Sequence, residues 1–513
     1  MIGKTSRTQN TKRNIIVSYI QYILQMVFQF ASRSIIVYTL GEQYLGLSSL
    51  FASILHVLNM ADLGFSTSII YNMYKPLADK DTVKVRALLA LYNKIYKIVG
   101  AIILVCGLCV TPFLKSLIHG SVPDDINLYV LYILYLINTS VSYLLFAHKT
   151  ALLTALQRLD LTKIATIAVH LVQYTLQVIS LLLFRNYYLF VIILILGTAS
   201  TNVLNAVIAK KNFPEYYCKG SVDDETKKDI WHRVKGLLIC NVSGVTYTSL
   251  DSIILSAFLG LTSVAIYSNY LTVYNAVSSF IGILRSSMQA SVGNSVAIET
   301  PEKNYKDMQL WQFLFSCLGS WCMCCLICLY QPFMELWMGK NMLLPMLDVV
   351  MLGIWLLLTV VQHAFYLYLA AKGLWNELKW PYIFSTVLNL SLNIIMGKLF
   401  GTTGIILASV ISCFVCGMIW QCTVIFKLYF KRSARPYLLK QGVYFVVAGI
   451  ICYISYQLCS FVKTGGVMSL ILKACICAVF TTVSLFLAYS HTEQFKKAKL
   501  FALRVIKSRQ GLI

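Results

Sequence analysis

Gln21, Gln25, Gln29 and Arg33 recur at strict four-residue spacing inside an otherwise apolar stretch. On a helix each step of four drifts about 40°, so these side chains share one slanted face about 120° wide. Ser18 and Ser32 fall in the same sector. Amides and hydroxyls exchange hydrogen bonds with a hydroxyl-rich head group, and a guanidinium binds phosphate bidentately. Lipid penalises such a stripe, because Arg alone costs about 2.5–3.5 kcal/mol at mid-span. The stripe therefore faces protein or a water-filled cavity, with Arg33 close enough to a span end to snorkel.

Other apolar stretches carry similar sets. Asn241, Thr248 and Asp251 share a face with Gly244 between them, and His170, Gln173 and Gln177 share another. His56, Asn59 and Asp62 drift around their helix, Gln362 and His363 are adjacent, and Asn389 and Asn393 are four apart. One buried His or Asn is ordinary helix glue. Several stripes together predict a polar cavity that hydrates a sugar head group. Lys94 and Lys97, three apart, and Arg285 are candidates to meet a phosphate or pyrophosphate; their plainer role is snorkelling to headgroups. Asp62 and Asp251 are the intramembrane acids suited to a coupling proton or sodium ion.

The elements that position these residues are membrane spans. About 20 apolar residues make one, and fourteen are expected, near 14–40, 44–72, 88–113, 127–147, 162–184, 187–209, 236–259, 263–284, 308–330, 344–370, 380–397, 402–426, 439–461 and 467–490. With a cytoplasmic start, 34 basic residues fall on inside segments and 6 on outside ones. That alternation fits the positive-inside rule and puts both ends in the cytoplasm. The segment ADLGF, with Asp62 beside Gly64, predicts a helix irregularity within the second span.

The chain has 513 residues, 58% hydrophobic and only 12% charged, so the bilayer is its natural solvent. The net charge of +23 does not indicate nucleic acid, since basic residues sit in short loops between spans. The basic start MIGKTSRTQNTKRN precedes an apolar stretch too long for a signal peptide. Sixteen cysteines, nearly all within spans, read as small buried hydrophobes. Cys322, Cys324, Cys325 and Cys328 have no ligand partners nearby in sequence, so no metal site is expected. Walker A, HExxH, GxSxG and dinucleotide-binding patterns are absent, and outside loops are too short to hold a catalytic domain.

Arg33-Ser-Ile-Ile-Val lines up with Asp251-Ser-Ile-Ile-Leu, each followed by a Gly-containing turn and another helix. The two segments lie six spans apart and run in the same direction. This predicts two six-helix lobes around a V-shaped central cavity. The expected division is 1–220 for the first lobe, 221–432 for the second, and 433–513 for two further helices with a basic cytoplasmic tail. Arg33 and Asp251, at matching places, form a plausible gate pair.

Four segments resemble the polysaccharide flippases, the O-antigen and capsule repeat-unit translocases of the multidrug/oligosaccharidyl-lipid/polysaccharide superfamily. They are RSIIVYTLGEQYLGLSSLF, MADLGFSTSIIYNMY, LDSIILSAFLGLTSVAIYSNY and QPFMELWMGK. The resemblance implies an all-α, multi-pass protein of the bacterial plasma membrane. It implies alternating-access transport of an undecaprenyl-pyrophosphate-linked oligosaccharide, with Arg33 at the anionic head group and Asp251 and Asp62 carried over beside it. Expected partners are the lipid-linked substrate, membrane lipids and the pathway's polymerase and glycosyltransferases. No cofactor is expected beyond H+ or Na+. A multidrug or cation antiporter, a lipid II flippase and, from another class, a membrane polymerase or glycosyltransferase remain as alternatives.

Overall fold

The structure is a computed structural model. It describes residues 7–510 except 63 and 463–464, with the side chains of 7–16, 61–62, 233, 235–241, 245–248, 290, 502 and 504–510 also outside the described residues. No strand occurs among the described residues. The chain forms two compact units, residues 1–265 and 266–513.

The first unit holds α1 (Arg7–Thr39), α2 (Glu42–Leu58), α3 (Phe65–Ala78), α4 (Thr82–Val110), α5 (Leu128–Leu144), α6 (Ala147–Ala155), α7 (Leu159–Ile179), α8 (Tyr187–Asn212) and α9 (Asp224–Leu259). Then come α10 (Leu261–Ile298), α11 (Pro301–Met338), α12 (Met346–Lys372), α13 (Trp375–Phe400), α14 (Thr402–Ser412), α15 (Cys422–Ile425), α16 (Arg435–Ser460), α17 (Gly466–Tyr489) and α18 (Glu493–Gln510). Among the described residues eleven helices are long and apolar enough to cross a membrane, or twelve if α5 and α6, bent by 48°, form one span.

The two other expected spans are helical but fall short for different reasons. The segment near 44–72 is interrupted by a 3-10 turn at Asn59–Asp62 and by Gly64 in the left-handed region (φ 101°), so α2 and α3 are separate. The ADLGF segment is thus a helix break. The segment near 263–284 lies within α10, one continuous helix of 38 residues diluted by Ser, Thr, Asn and Gln.

Short connections recur with one geometry. Gly41 (φ 112°, ψ 168°) joins α1 to α2, and Gly260 (φ 81°, ψ −179°) joins α9 to α10. That backbone region is open essentially to glycine alone, so the paired segments noticed in the sequence share a turn as well as residues. In the first unit α9 packs against α2 and α3, and α1 against α7 and α2. A Cβ on Gly46 would lie 2.2 Å from the Leu261 carbonyl oxygen, which is backbone and has little freedom to yield. Gly46→Ala is therefore expected to cost about 1–3 kcal/mol through overpacking. A thermal melt of the purified variant checks this; an unchanged midpoint would contradict so close an approach.

The connection 213–223 is held against α4 and α6 by basic side chains of those helices. Arg86 Nε donates to the Glu215 carbonyl (2.7 Å), its guanidinium lies 4.2 Å from the Tyr217 ring centroid, and Lys149 Nζ donates to the Tyr216 carbonyl (2.9 Å). Asp223 then caps α9, where the Thr226 hydroxyl and N–H hold its carboxyl down at about 2.

In the second unit, thiols of α11 meet those of α16 and α17. Cys325 and Cys477 Sγ atoms are 3.9 Å apart, and Cys324, Cys328, Cys452 and Cys459 are buried nearby. None of the described cysteines is in a disulfide. Their placement in helix packing fits the reading of small buried hydrophobes.

Candidate functional site: the polar face of α1

Two exposed stripes run along α1. Ile20, Ile23 and Val27 are about half exposed, and so are suited to lipid. Gln25 and Gln29 are also exposed, about 170° round the helix from them. Gln21 and Arg33 are half-buried on the polar side, and Gln21 donates to Gln25 Oε1 (3.2 Å). Between the stripes α1 meets α7, where Phe28 stacks on Tyr174 with ring centroids 4.5 Å apart. The period of the sequence thus produces a helix with a lipid-compatible side, a packed side and an uncovered amide side.

Arg33 stands at the head of this stripe beside a tyrosine cluster. Its guanidinium is within electrostatic range of the Tyr187 hydroxyl at the start of α8. Tyr187 shares a hydrogen bond with Tyr135 of α5 (2.9 Å), and Tyr135 donates to Ser48 Oγ of α2 (3.1 Å). The Tyr44 ring stands edge-on to Tyr187 at 5.3 Å, and its hydroxyl donates to Asp125. Side chains of α2, α5 and α8 are thus joined through Tyr187, the tyrosine next to Arg33. A cation held among phenol and hydroxyl groups can bind an anionic oxygen while the hydroxyls exchange hydrogen bonds with the same ligand.

The other expected lining residues divide by burial. Gln173 and Gln177 are almost wholly shut from solvent: Gln173 Nε2 contacts Gln177 Oε1 (3.4 Å), and Gln177 donates to the Phe190 carbonyl of α8 (3.1 Å). A Cβ on Gly197 of α8 would strike Gln173. These two amides serve packing between helices rather than an open wall, because α8 approaches closely enough at Gly197 to enclose them. Asn389 and Asn393 behave alike, with Asn393 donating to Asn389 and Asn389 to Ser409 Oγ of α14, both at 3.1 Å. His170 is half-buried, edge-on to Tyr174 at 5.6 Å.

Asp251 is wholly buried, within one turn of the buried Ser252 and near Ser249, whose hydroxyl meets His56 Nδ1 at 3.0 Å. The side chains of Asn241, Thr248 and Asp62 lie outside the described residues. Lys94 and Lys97 are exposed on α4, with Lys97 in electrostatic range of the buried His148. In the second unit Arg285 is half-buried, its guanidinium 4.6 Å from the Tyr366 ring centroid and in electrostatic range of His363. Such a cation–π contact fixes a guanidinium without neutralising it.

The second unit also contains an apolar groove of about 710 Å³ among α11, α12, α14 and α16. Ile327, Ile354, Phe414, Phe445 and Tyr453 line it, and Gly449 opens it by presenting no side chain.

A family model described as "Polysaccharide biosynthesis protein" matches residues 11–288, more than half of the chain. The chain belongs to the polysaccharide biosynthesis protein family. The match begins before the amide stripe and ends after Arg285, so it contains Arg33 and Asp251. No curated protein matches the sequence. Among solved structures, the lipid II flippase MurJ in an inward closed conformation is similar at 14% identity. That likeness covers 93% of this chain and 99% of that one, with a TM-score of 0.64. An inward-facing multidrug resistance transporter of the MATE family, within the MOP superfamily, is similar at 13% identity over 79% of this chain and 96% of that one (TM-score 0.61). A MOP superfamily transporter from Pyrococcus furiosus, with a binding pocket of reverse polarity, is similar at 13% identity over 84% and 100% (TM-score 0.54). The fold of this family member is therefore that of MOP superfamily transporters, and the protein is a multi-pass membrane protein.

Proposed function

We propose that this protein flips undecaprenyl-pyrophosphate-linked oligosaccharide repeat units from the cytoplasmic to the outer face of the bacterial plasma membrane, by alternating access and without catalysing a reaction. The observation that carries this reading is the exposed amide stripe of α1, headed by Arg33, opposite an exposed aliphatic stripe on the same helix. Lipid accounts for one exposed side and cannot account for the other. A hydrated path lined by amides suits a glycan, and Arg33 suits its pyrophosphate. The basic-residue alternation supports cytoplasmic ends.

The apolar groove beside α16 has the chemistry of an isoprenoid chain, with aliphatic and aromatic walls around a space one tail segment would fill. Gly449→Phe would occupy that space. It is expected to slow transport several-fold with little loss of stability, because no heavy atom lies within 4 Å of the Cβ position. Flux of lipid-linked oligosaccharide in a vesicle assay checks this; an unaltered rate would remove the groove from tail binding.

Ion coupling, through a proton or sodium ion at Asp251 or Asp62, belongs to the same proposal, as do pathway polymerase and glycosyltransferase partners. Depleting the protein in its host tests the reading as a whole. Lipid-linked oligosaccharide should accumulate and stay inaccessible to glycan-binding reagents added outside intact cells. Unchanged outside exposure, or loss of the lipid-linked intermediate itself, would refute it.

A further inference from the structure

We propose that α18 is a binding site for anionic phospholipid headgroups, lying in the plane of the membrane surface where α17 ends. The sequence of this helix, EQFKKAKLFALRVIKSRQ, holds six basic residues and one acidic residue. Lys496, Leu500 and Leu503 follow one another at spacings of four and three, so they share one side. Leu500 is 56% exposed and Leu503 45% exposed, and Lys496, Lys497 and Lys499 are all exposed around them. The other side is packed: Phe495 meets Phe486 of α17 edge-on at 5.4 Å, and Phe501 meets Trp311 of α11 in the same way at 5.4 Å.

Those two contacts set the depth of α18. At 1.5 Å per residue a 38-residue helix is about 57 Å long, well beyond a hydrocarbon layer of about 30 Å. The first turns of α11 carry Glu302, Lys303, Lys306 and Asp307, so they are the part that projects past the apolar layer. Trp311 follows them at the level where aromatic side chains gather, between headgroups and acyl chains. Phe501, seated on Trp311, brings α18 to that level rather than out into solution. There the exposed leucines meet acyl-chain ends and the lysines around them meet phosphates, the pattern of an interfacial basic helix. The excess of positive charge selects anionic lipid over zwitterionic lipid.

Hydrogen–deuterium exchange of the full-length protein tests this, in vesicles of phosphatidylcholine alone and of phosphatidylcholine mixed with phosphatidylglycerol. Amides of 493–510 are expected to exchange more slowly when phosphatidylglycerol is present, and high salt should remove the difference. Combining Lys496→Gln, Lys497→Gln and Lys499→Gln should weaken the lipid effect by about five-fold per lysine. Exchange in α11 and α17 should stay unchanged. If that variant fails to fold, Leu500→Ser with Leu503→Ser supplies the comparison, since both side chains are exposed. Equal exchange in the two lipids would overturn the proposal. So would protection seen only in native membranes and not in phosphatidylglycerol vesicles, which would indicate a protein partner.

Discussion

Arg33→Ala is expected to abolish appearance of lipid-linked glycan on the outer face while its synthesis on the inner face continues. Among the described side chains of α1 the guanidinium is the one strong cation, and it heads the amide stripe beside the Tyr187–Tyr135–Ser48 chain. Truncating one partner of a desolvated charged hydrogen bond costs about 2–5 kcal/mol, which corresponds to about 30-fold or more in rate if the contact forms during passage. Arg33→Lys keeps the charge but loses the planar fork, so it should fall between wild type and alanine. Tyr187→Phe removes only a hydroxyl and should cost about 1 kcal/mol. The graded order Ala, Lys, Phe is the signature to measure, by counting externally accessible lipid-linked glycan per cell. Normal export by Arg33→Ala would exclude the residue from the transport path.

The second large effect concerns Asp251. A carboxylate wholly shut from solvent persists only when hydrogen-bonded, paired or neutral. Asp251→Ala removes the acceptor while leaving its surroundings in place, and is expected to cost about 3–5 kcal/mol if the acid is charged and paired. The readouts are a lower melting midpoint and poor folded yield. Asp251→Asn preserves the shape and most hydrogen bonding, so the protein should fold, but it can no longer change charge. If this acid carries the coupling ion, Asn substitution stops transport driven by a proton or sodium gradient in folded protein. Gradient-driven transport at the wild-type rate by Asp251→Asn would place the residue in structure alone.

These two residues show how far sequence reasoning reaches. Arg33 and its glutamines were legible because polar side chains at four-residue spacing in an apolar span must share a face, whatever surrounds them. What covers a face is another matter. Gln173 and Gln177 form as clear a stripe, yet α8 encloses them, because Gly197 allows a close approach that no pattern within α7 reveals. Asn389 and Asn393 are enclosed by α14 in the same way.

The tyrosines around Arg33 were missed for a complementary reason. Tyr135 and Tyr187 count as apolar in a span, while their hydroxyls form the local polar network. They are brought together from α5 and α8 by long-range packing. The break at ADLGF could be read from Gly64, which takes a positive φ. The π segment Cys413–Gln421 contains no Pro, and its Gly417 takes no positive φ; its contact with Gln362, whose Nε2 lies 3.2 Å from Cys413 Sγ, comes from another helix.

The most direct measurement uses the purified protein in vesicles with lipid-linked oligosaccharide supplied in a single leaflet. A membrane-impermeant glycosidase on the far side then reports crossing. Wild type should render the glycan cleavable far faster than protein-free vesicles do, with the lipid linkage intact and no longer polymer formed, and Arg33→Ala should return the rate to the protein-free level. Equal rates with and without wild-type protein, or growth of the glycan during the assay, would contradict a flippase.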